Sequence, residues 1–138
     1  PDYQDRFIIE TTPGQYASVD QVATDWFTKQ PGWIRLLSTN TRSSASIESA
    51  IVDGGFQVGT SVGSWKVVAR NEDEIVFGER MGFMEYCYSL ALRADEPVTI
   101  EGSTVVTYLW RRTGRFYFAL VRPMHRRFIR FLLAKTVA

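Results

Sequence analysis

The last third of the chain constrains the fold most, because it contains one long amphipathic segment that nothing else in the sequence matches. Between Gly114 and Lys135, apolar side chains recur at spacings of three and four residues, which places them on one face of a helix. These side chains are Phe116, Tyr117, Leu120, Val121, Met124, Phe128, Phe131 and Leu132. A helix with so long an apolar face needs a large surface to cover, so the sequence predicts a sheet beneath it. Pro123 predicts a kink or a restart of this helix near Arg122.

The segment before this helix has a period of two, which predicts strands. Trp65–Arg70 and Glu74–Arg80 flank an acidic turn and read as a hairpin, and Phe83–Arg93 and Val98–Trp110 follow. The bulky sides of the last two strands carry Met84, Tyr86, Tyr88, Leu90 and Leu92, and then Val106, Tyr108 and Trp110. Consecutive hairpins predict an antiparallel sheet with one buried face, which the C-terminal helix covers.

The first part of the chain predicts a strand followed by two short helices. Arg6–Glu10 is a short apolar run that ends in turn residues, and Ser18 is an N-cap for an amphipathic helix. A second short helix is expected to begin at Trp33, and residues 39–46 read as a polar loop. Ile47–Val52 fits either a helical turn or a strand. The glycines at 59–63 resemble a phosphate loop only in spacing, since the Lys-Ser/Thr pair is missing.

Length and composition predict one domain, residues 1–138, in the cytoplasm. One cysteine excludes an internal disulfide, no apolar run is long enough to span a bilayer, and the first residues do not resemble a signal peptide. All fifteen Asp and Glu lie at or before Glu101, whereas half of the sixteen Lys and Arg follow it. We expect the basic helix to dock on the acidic remainder of its own domain. An anionic partner is the alternative, and nucleic acid is not expected.

The sequence offers little catalytic chemistry. The only histidine, His125, is followed by two arginines and reads as a surface or helix-packing residue. Cys87 reads as an inert thiol with no base nearby. The strand alternation points Glu85 away from the helix, although a register shifted by one residue would turn it into a cavity and raise its pKa. No catalytic residue, metal or cofactor is predicted.

Aromatic residues are numerous enough to line a cavity between the sheet and the helix. The side chains expected to line it are Trp33, Trp65, Phe77, Tyr86, Tyr88, Tyr108, Trp110, Tyr117, Leu120 and Met124. A filled core is the alternative that needs no ligand. In a cavity, tyrosine hydroxyls and indole N–H groups would supply a few polar contacts.

Three segments carry a resemblance to a known family: Trp65-Lys-Val-Val, Thr104-Val-Val-Thr-Tyr and mainly the motif from Gly114 to Arg127. In these segments the chain is similar to a bacterial family of uncharacterised domains, sometimes appended to epimerase-type reductases. The order of elements resembles the wider START-like helix-grip fold, the SRPBCC superfamily of birch-pollen-allergen-like and polyketide-cyclase-like proteins. This resemblance implies an α+β fold in which a curved antiparallel sheet wraps around a long C-terminal helix, with two short helices after the first strand.

The sequence therefore favours a domain that binds a hydrophobic, aromatic or lipid-like small molecule without evident catalytic machinery. An enzyme of the cyclase or hydrolase kind that uses the same cavity is one alternative. A structural or interaction module for a partner reductase is another. A homodimer is considered alongside these readings.

Overall fold

The computed structural model describes residues 2–31, 44–81, 83–94 and 97–138. Within these ranges the strands are β1 (Tyr3–Glu10), β2 (Ser61–Val62), β3 (Trp65–Arg70), β4 (Glu74–Met81), β5 (Met84–Arg93) and β6 (Thr99–Tyr108). The helices in the same ranges are α1 (Val19–Thr28), α2 (Ser44–Gly54) and α3 (Arg111–Val137). The strands form one antiparallel sheet in the order β1-β6-β5-β4-β3-β2. The α+β class and the helix-grip layout predicted from the sequence are confirmed.

The inner face of the sheet follows from the alternation of side chains along the strands. On β5, Met84, Tyr88 and Leu90 are buried while Glu85 is exposed, as the sequence predicted. The pairing register continues this face across the sheet. Phe77 pairs with Tyr88, Tyr88 with Thr104, and Thr104 with Asp5. One row of inward side chains therefore crosses four strands, from β4 to β1.

Helix α1 forms as predicted and closes one end of the fold. The Ser18 side chain accepts a hydrogen bond from the backbone N–H of Gln21, and the Gln21 side chain accepts one from Ala17 N–H at 2.8 Å. Its buried face consists of Val19, Val22, Ala23, Trp26 and Phe27. The Trp26 ring stacks on Tyr88 with the ring centroids 4.8 Å apart, so α1 packs on β5.

The region after α1 differs in part from the prediction. Helix α2 begins at Ser44, so the predicted loop is wrong at residues 44–46, and the ambiguous segment from Ile47 is helical. Ile47 is buried in the main core, and this packing stabilises a helix that the serine-rich sequence alone does not predict. Gly59 and Gly63 have φ values of 94° and 61° and turn the chain on either side of β2. The elements that directly follow them are the strands β2 and β3, whereas a phosphate loop leads directly into a helix. The predicted second helix at Trp33 lies outside the described residues.

Helix α3 runs without a break from residue 111 to residue 137, with Pro123 inside it. The expected restart near Arg122 is therefore wrong, and the alternative of a kink at Pro123 stays a prediction. Half of the predicted apolar face is wrong as well, because Phe116, Leu120, Met124 and Phe131 are exposed. The other half, Tyr117, Val121, Phe128 and Leu132, is buried or half-buried. The buried side chains are Phe118, Ile129, Leu132, Leu133 and Thr136, with Val121, His125 and Phe128 half-buried between them.

Gly114 explains the phase of α3. A Cβ atom at this glycine would lie 2.8 Å from Cδ1 of Tyr108, so only glycine lets the helix approach β6 this closely. The face that carries Gly114 also carries Phe118, Val121 and His125, at spacings of three and four residues. Apolar side chains elsewhere around the helix are therefore turned outwards.

Two apolar clusters lie beneath α3. The larger one joins Ile129, Leu132 and Leu133 to α1, α2 and the sheet. The smaller one joins Phe118 to Met84 and Val106 near the start of the helix. Between these clusters, the middle turns of α3 lie above the polar end of the row that includes Thr104 and Asp5.

The arginines of α3 pack on aromatic rings of β1. The Arg122 guanidinium lies 5.2 Å from the centroid of the Tyr3 ring. The guanidinium groups of Arg126 and Arg130 lie 5.7 and 5.0 Å from the centroid of the Phe7 ring. Between described residues, no arginine of α3 forms an ion pair with a carboxylate. The basic helix therefore docks on its own domain as expected, but through aromatic rings instead of carboxylates. No helix in the described part of the chain is long and apolar enough to cross a membrane.

Candidate ligand cavity

A cavity of about 450 Å³ lies between the inner face of the sheet and α3, with α1 at one end. Most of its wall is apolar. Those residues are Trp26, Phe27, Trp65, Phe77, Val121, Met124, Phe128, Ile129 and Leu132. The polar or amphipathic wall residues are Glu79, Tyr86, Tyr88, Thr104, Tyr117 and His125. Its size and composition are those of a pocket for a small apolar molecule with a few polar groups.

The structure brings six of the ten predicted cavity residues together. Trp65, Phe77, Tyr86, Tyr88, Tyr117 and Met124 line the cavity. Trp110 and Leu120 do not, because their side chains are 65% and 66% exposed. Tyr108 packs against Phe118 and borders a separate groove of about 370 Å³. Trp33 lies outside the described residues.

Several cavity residues were not predicted from the sequence. Glu79 shares its side of β4 with Phe77, and Thr104 lies among the inward residues of β6. In the sequence, the sign of both cavity residues was a polar side chain at a position that strand alternation turns inwards. His125 enters the cavity because the buried face of α3 is shifted from the predicted one. Glu85 and Cys87 do not line the cavity. Burial raises the pKa of the Cys87 thiol, and the charge of the nearby Glu85 raises it further.

His125, Thr104 and Tyr88 form the polar floor of the cavity, and the Asp5 carboxylate lies next to His125 without lining the cavity. The Nε2 atom of His125 lies 3.3 Å from Thr104 Oγ1 and 3.6 Å from Asp5 Oδ2. Burial lowers the pKa of His125, and the neighbouring Asp5 carboxylate opposes this only in part. The imidazole is therefore neutral near pH 7, with one ring nitrogen that donates and one that accepts hydrogen bonds.

Hydrogen bonding on this floor is incomplete. The Tyr3 hydroxyl donates to Asp5 Oδ2 at 2.7 Å, and burial and this hydrogen bond raise the pKa of Tyr3 to about 12. Asp5 Oδ1 and the Tyr88 hydroxyl are both buried and have no hydrogen-bond partner among the described residues. Burial, and then the Asp5 charge, raise the pKa of Tyr88 well above its ordinary value. A buried polar group without a partner costs about 1–3 kcal/mol, and of these two residues only Tyr88 lines the cavity.

A second polar group lies towards β4. Glu79 pairs with Tyr86 across β4 and β5, and both line the cavity with Tyr117. Burial raises the pKa of Glu79, and a hydrogen bond with Ser64 opposes that shift. Burial raises the pKa of Tyr86, and the neighbouring Tyr117 raises it further. No lysine or arginine of the described chain lines the cavity, so its wall offers no counter-charge to an anion.

A family model described as "Protein of unknown function (DUF2867)" matches residues 1–131. No curated protein and no solved structure was found to match the chain.

Proposed function

The chain belongs to the DUF2867 family, and we propose that it binds a small hydrophobic or aromatic molecule in the cavity between the sheet and α3. The observation that carries the proposal is an aromatic cavity of about 450 Å³ lined in part by Tyr88, whose buried hydroxyl has no hydrogen-bond partner among the described residues. A filled core would leave no such volume, and a core selected only for stability would not retain unsatisfied groups beside it.

The layout supports membership of the START-like helix-grip superfamily, which is part of the same proposal. The sheet is an antiparallel meander, β1 returns to pair with β6, and the C-terminal helix lies across the inner face. Helix α1 follows β1 directly and closes one end of the cavity with Trp26 and Phe27. The cytoplasmic location, the single domain and a homodimer stay predictions from the sequence.

Acid–base catalysis on the bound molecule is a second candidate, and the arrangement of two titratable groups favours it. His125 and Glu79 line the same cavity, and the half-buried Glu79 carboxyl has a raised pKa. Such chemistry requires one group that accepts a proton and one that donates a proton, and a raised pKa makes a carboxyl easier to protonate. A bound compound recovered chemically unchanged after long incubation would favour simple binding, whereas a conversion that Glu79→Gln abolishes would favour the enzyme.

Uptake of the neutral dye N-phenyl-1-naphthylamine tests the binding proposal, because its fluorescence rises in an apolar environment. The wild type should show a saturable rise with one site. Val121→Trp places a large ring in the cavity and should abolish it. Leu120→Trp is the matched control, since the neighbouring side chain on the same helix is exposed and outside the cavity, and it should bind like the wild type.

Two outcomes would contradict the proposal. A wild type that takes up no dye would leave the interaction-module reading in its place. Equal loss of uptake in both tryptophan variants would place the dye on the exposed flank of α3 instead of in the cavity. Circular dichroism and urea unfolding of each variant confirm that the comparison is between folded proteins.

A further inference from the structure

We propose that the outward flank of α3 docks on the surface of an anionic lipid bilayer. This flank carries a row of large exposed apolar side chains, and exposed arginines without a carboxylate partner in the described chain lie beside it. The inference goes beyond the proposed function, because docking on a surface needs neither an occupied cavity nor a reaction within it.

The apolar row follows from the way α3 sits on the sheet. Because Gly114 and Phe118 face the sheet, residues about half a turn away from them point outwards. Four of these are large apolar side chains between 46% and 71% exposed, here called the apolar stripe: Phe116, Leu120, Met124 and Phe131. Spacings of four, four and seven residues keep them in one line about 22 Å long. A single exposed apolar side chain is ordinary, whereas a row of four marks a surface that a partner covers.

The charge beside the apolar stripe has one sign. The sequence of α3 contains no Asp or Glu. At the positions whose side chains the structure describes, its exposed basic residues are Arg112, Arg115, Arg122, Arg126, Arg127, Arg130 and Lys135. None of them forms an ion pair with a described carboxylate. Asp2 borders a groove with Arg115 and Arg122 and offsets part of their charge, so the other basic residues contribute most.

Aromatic rings of β1 hold three of the arginines along one flank of the apolar stripe. The Arg122 guanidinium lies over the Tyr3 ring, and those of Arg126 and Arg130 lie over the Phe7 ring. A guanidinium over a ring keeps its full charge, and the N–H groups on its edge stay free to donate. These charges are therefore held in place and remain accessible to the phosphate groups of lipids.

Arg127 lies within the apolar stripe itself. It comes three residues after Met124 and four before Phe131, so its side chain starts from the same face of the helix. On a bilayer, its apolar stem can lie among the apolar side chains while the guanidinium extends to the headgroups. A protein interface would instead bury this charge and would need a carboxylate opposite it.

A second copy of the chain is a poor occupant of the apolar stripe. Two α3 helices packed through their stripes would bring two sets of arginines together, and neither helix carries a carboxylate to offset them. An anionic bilayer supplies negative charge at its surface and an apolar layer directly beneath, into which phenylalanine and leucine side chains insert. The combination of the stripe and its arginines therefore favours the lipid surface.

Co-sedimentation with lipid vesicles tests the proposal. One type of vesicle is phosphatidylcholine alone, and the other is an equal mixture of phosphatidylcholine and phosphatidylglycerol. In about 50 mM NaCl the wild type should bind the mixed vesicles at least about tenfold more tightly, because each arginine near the surface adds to the attraction. In about 500 mM NaCl this preference should fall to about twofold or less, since salt screens the charges.

Two pairs of variants locate the binding on α3. Leu120→Ser removes an apolar side chain from the stripe and should weaken binding to mixed vesicles about tenfold. Ile8→Ser is its matched control, because Ile8 is 53% exposed on the opposite side of the sheet, and binding should persist. Arg127→Gln should weaken binding about fivefold. Arg6→Gln removes the same charge from the outward side of β1 and should leave binding within about twofold of the wild type.

Several results would overturn the proposal. These are no binding to the mixed vesicles at low salt, equal binding to both types of vesicle, and equal effects of Leu120→Ser and Ile8→Ser. A wild type that sediments as a dimer and a Leu120→Ser variant that sediments as a monomer would assign the stripe to a second copy instead. Dye uptake by the cavity does not enter these results, so the proposed function and this inference can fail separately. Urea unfolding confirms that each variant is folded.

Discussion

Gly102→Ala tests the placement of the Tyr88 hydroxyl, on which the reading of the cavity floor depends. A Cβ atom at residue 102 would overlap that hydroxyl and lie 3.1 Å from Cζ of the same ring and 3.3 Å from Leu133 Cδ1. Overpacking a filled site costs about 1–3 kcal/mol. Alanine in a strand regains about 0.5–1 kcal/mol relative to glycine, so the net loss should be about 1–2 kcal/mol.

The double variant makes the prediction specific. Tyr88→Phe alone removes a hydroxyl that has no partner, so the free energy of unfolding should stay the same or rise by up to about 1 kcal/mol. With phenylalanine at 88, the alanine at 102 meets only the ring carbon and Leu133, which can shift by a few tenths of an ångström. The cost of Gly102→Ala should then fall to about 0.5 kcal/mol or less.

Urea unfolding of the wild type, the two single variants and the double variant measures this coupling. We expect a coupling energy of about 1 kcal/mol or more. If the stability changes of the two single variants add up to that of the double variant within about 0.3–0.5 kcal/mol, the contact between residue 102 and the Tyr88 hydroxyl is refuted. A clear loss of stability in Tyr88→Phe alone would show that the hydroxyl has a partner in the unliganded protein.

Two further predictions concern His125 and the cap of α1. Because the folded-state pKa of His125 is lowered, the unfolded chain binds the extra proton first as the pH falls below about 6.5, so stability should decrease there. His125→Gln should flatten that part of the curve of unfolding free energy against pH, and an unchanged slope would contradict the burial of a neutral imidazole. Ser18→Ala should cost about 1 kcal/mol in urea unfolding, because the Gln21 N–H loses its acceptor, and no loss would show that the cap contributes nothing.

Local pattern predicted the sheet well for a physical reason. Side chains alternate across a strand, so the inward residues of β5 and β6 follow from the sequence once one bulky position is assigned. The inward position of Tyr88 and the outward position of Glu85 needed no knowledge of the neighbouring strands. The sequence therefore indicated the part of the wall that the sheet contributes.

The phase of α3 could not be read from apolar spacing alone. The helix carries apolar side chains on two flanks, and either flank satisfies a period near 3.6. Close contact between Gly114 and Tyr108 selects the flank that carries Phe118 and His125. A glycine near the start of a long helix was the available signal, because its missing side chain permits a close approach to the sheet.

The polar floor depends on long-range pairing that no local pattern contains. Asp5 and Thr104 are adjacent only because β1 pairs with the last strand. His125 reaches them only because α3 returns over that edge of the sheet. A short N-terminal strand with an aspartate among its residues gives no local sign that this carboxylate is buried.

Native mass spectrometry of the protein purified without denaturation from the cells that make it tests the central claim most directly. We expect part of the protein to carry one small molecule, which Val121→Trp should remove and Leu120→Trp should leave in place. A wild type that shows only the mass of the bare chain, even after incubation with N-phenyl-1-naphthylamine, would contradict the claim that this cavity binds a ligand.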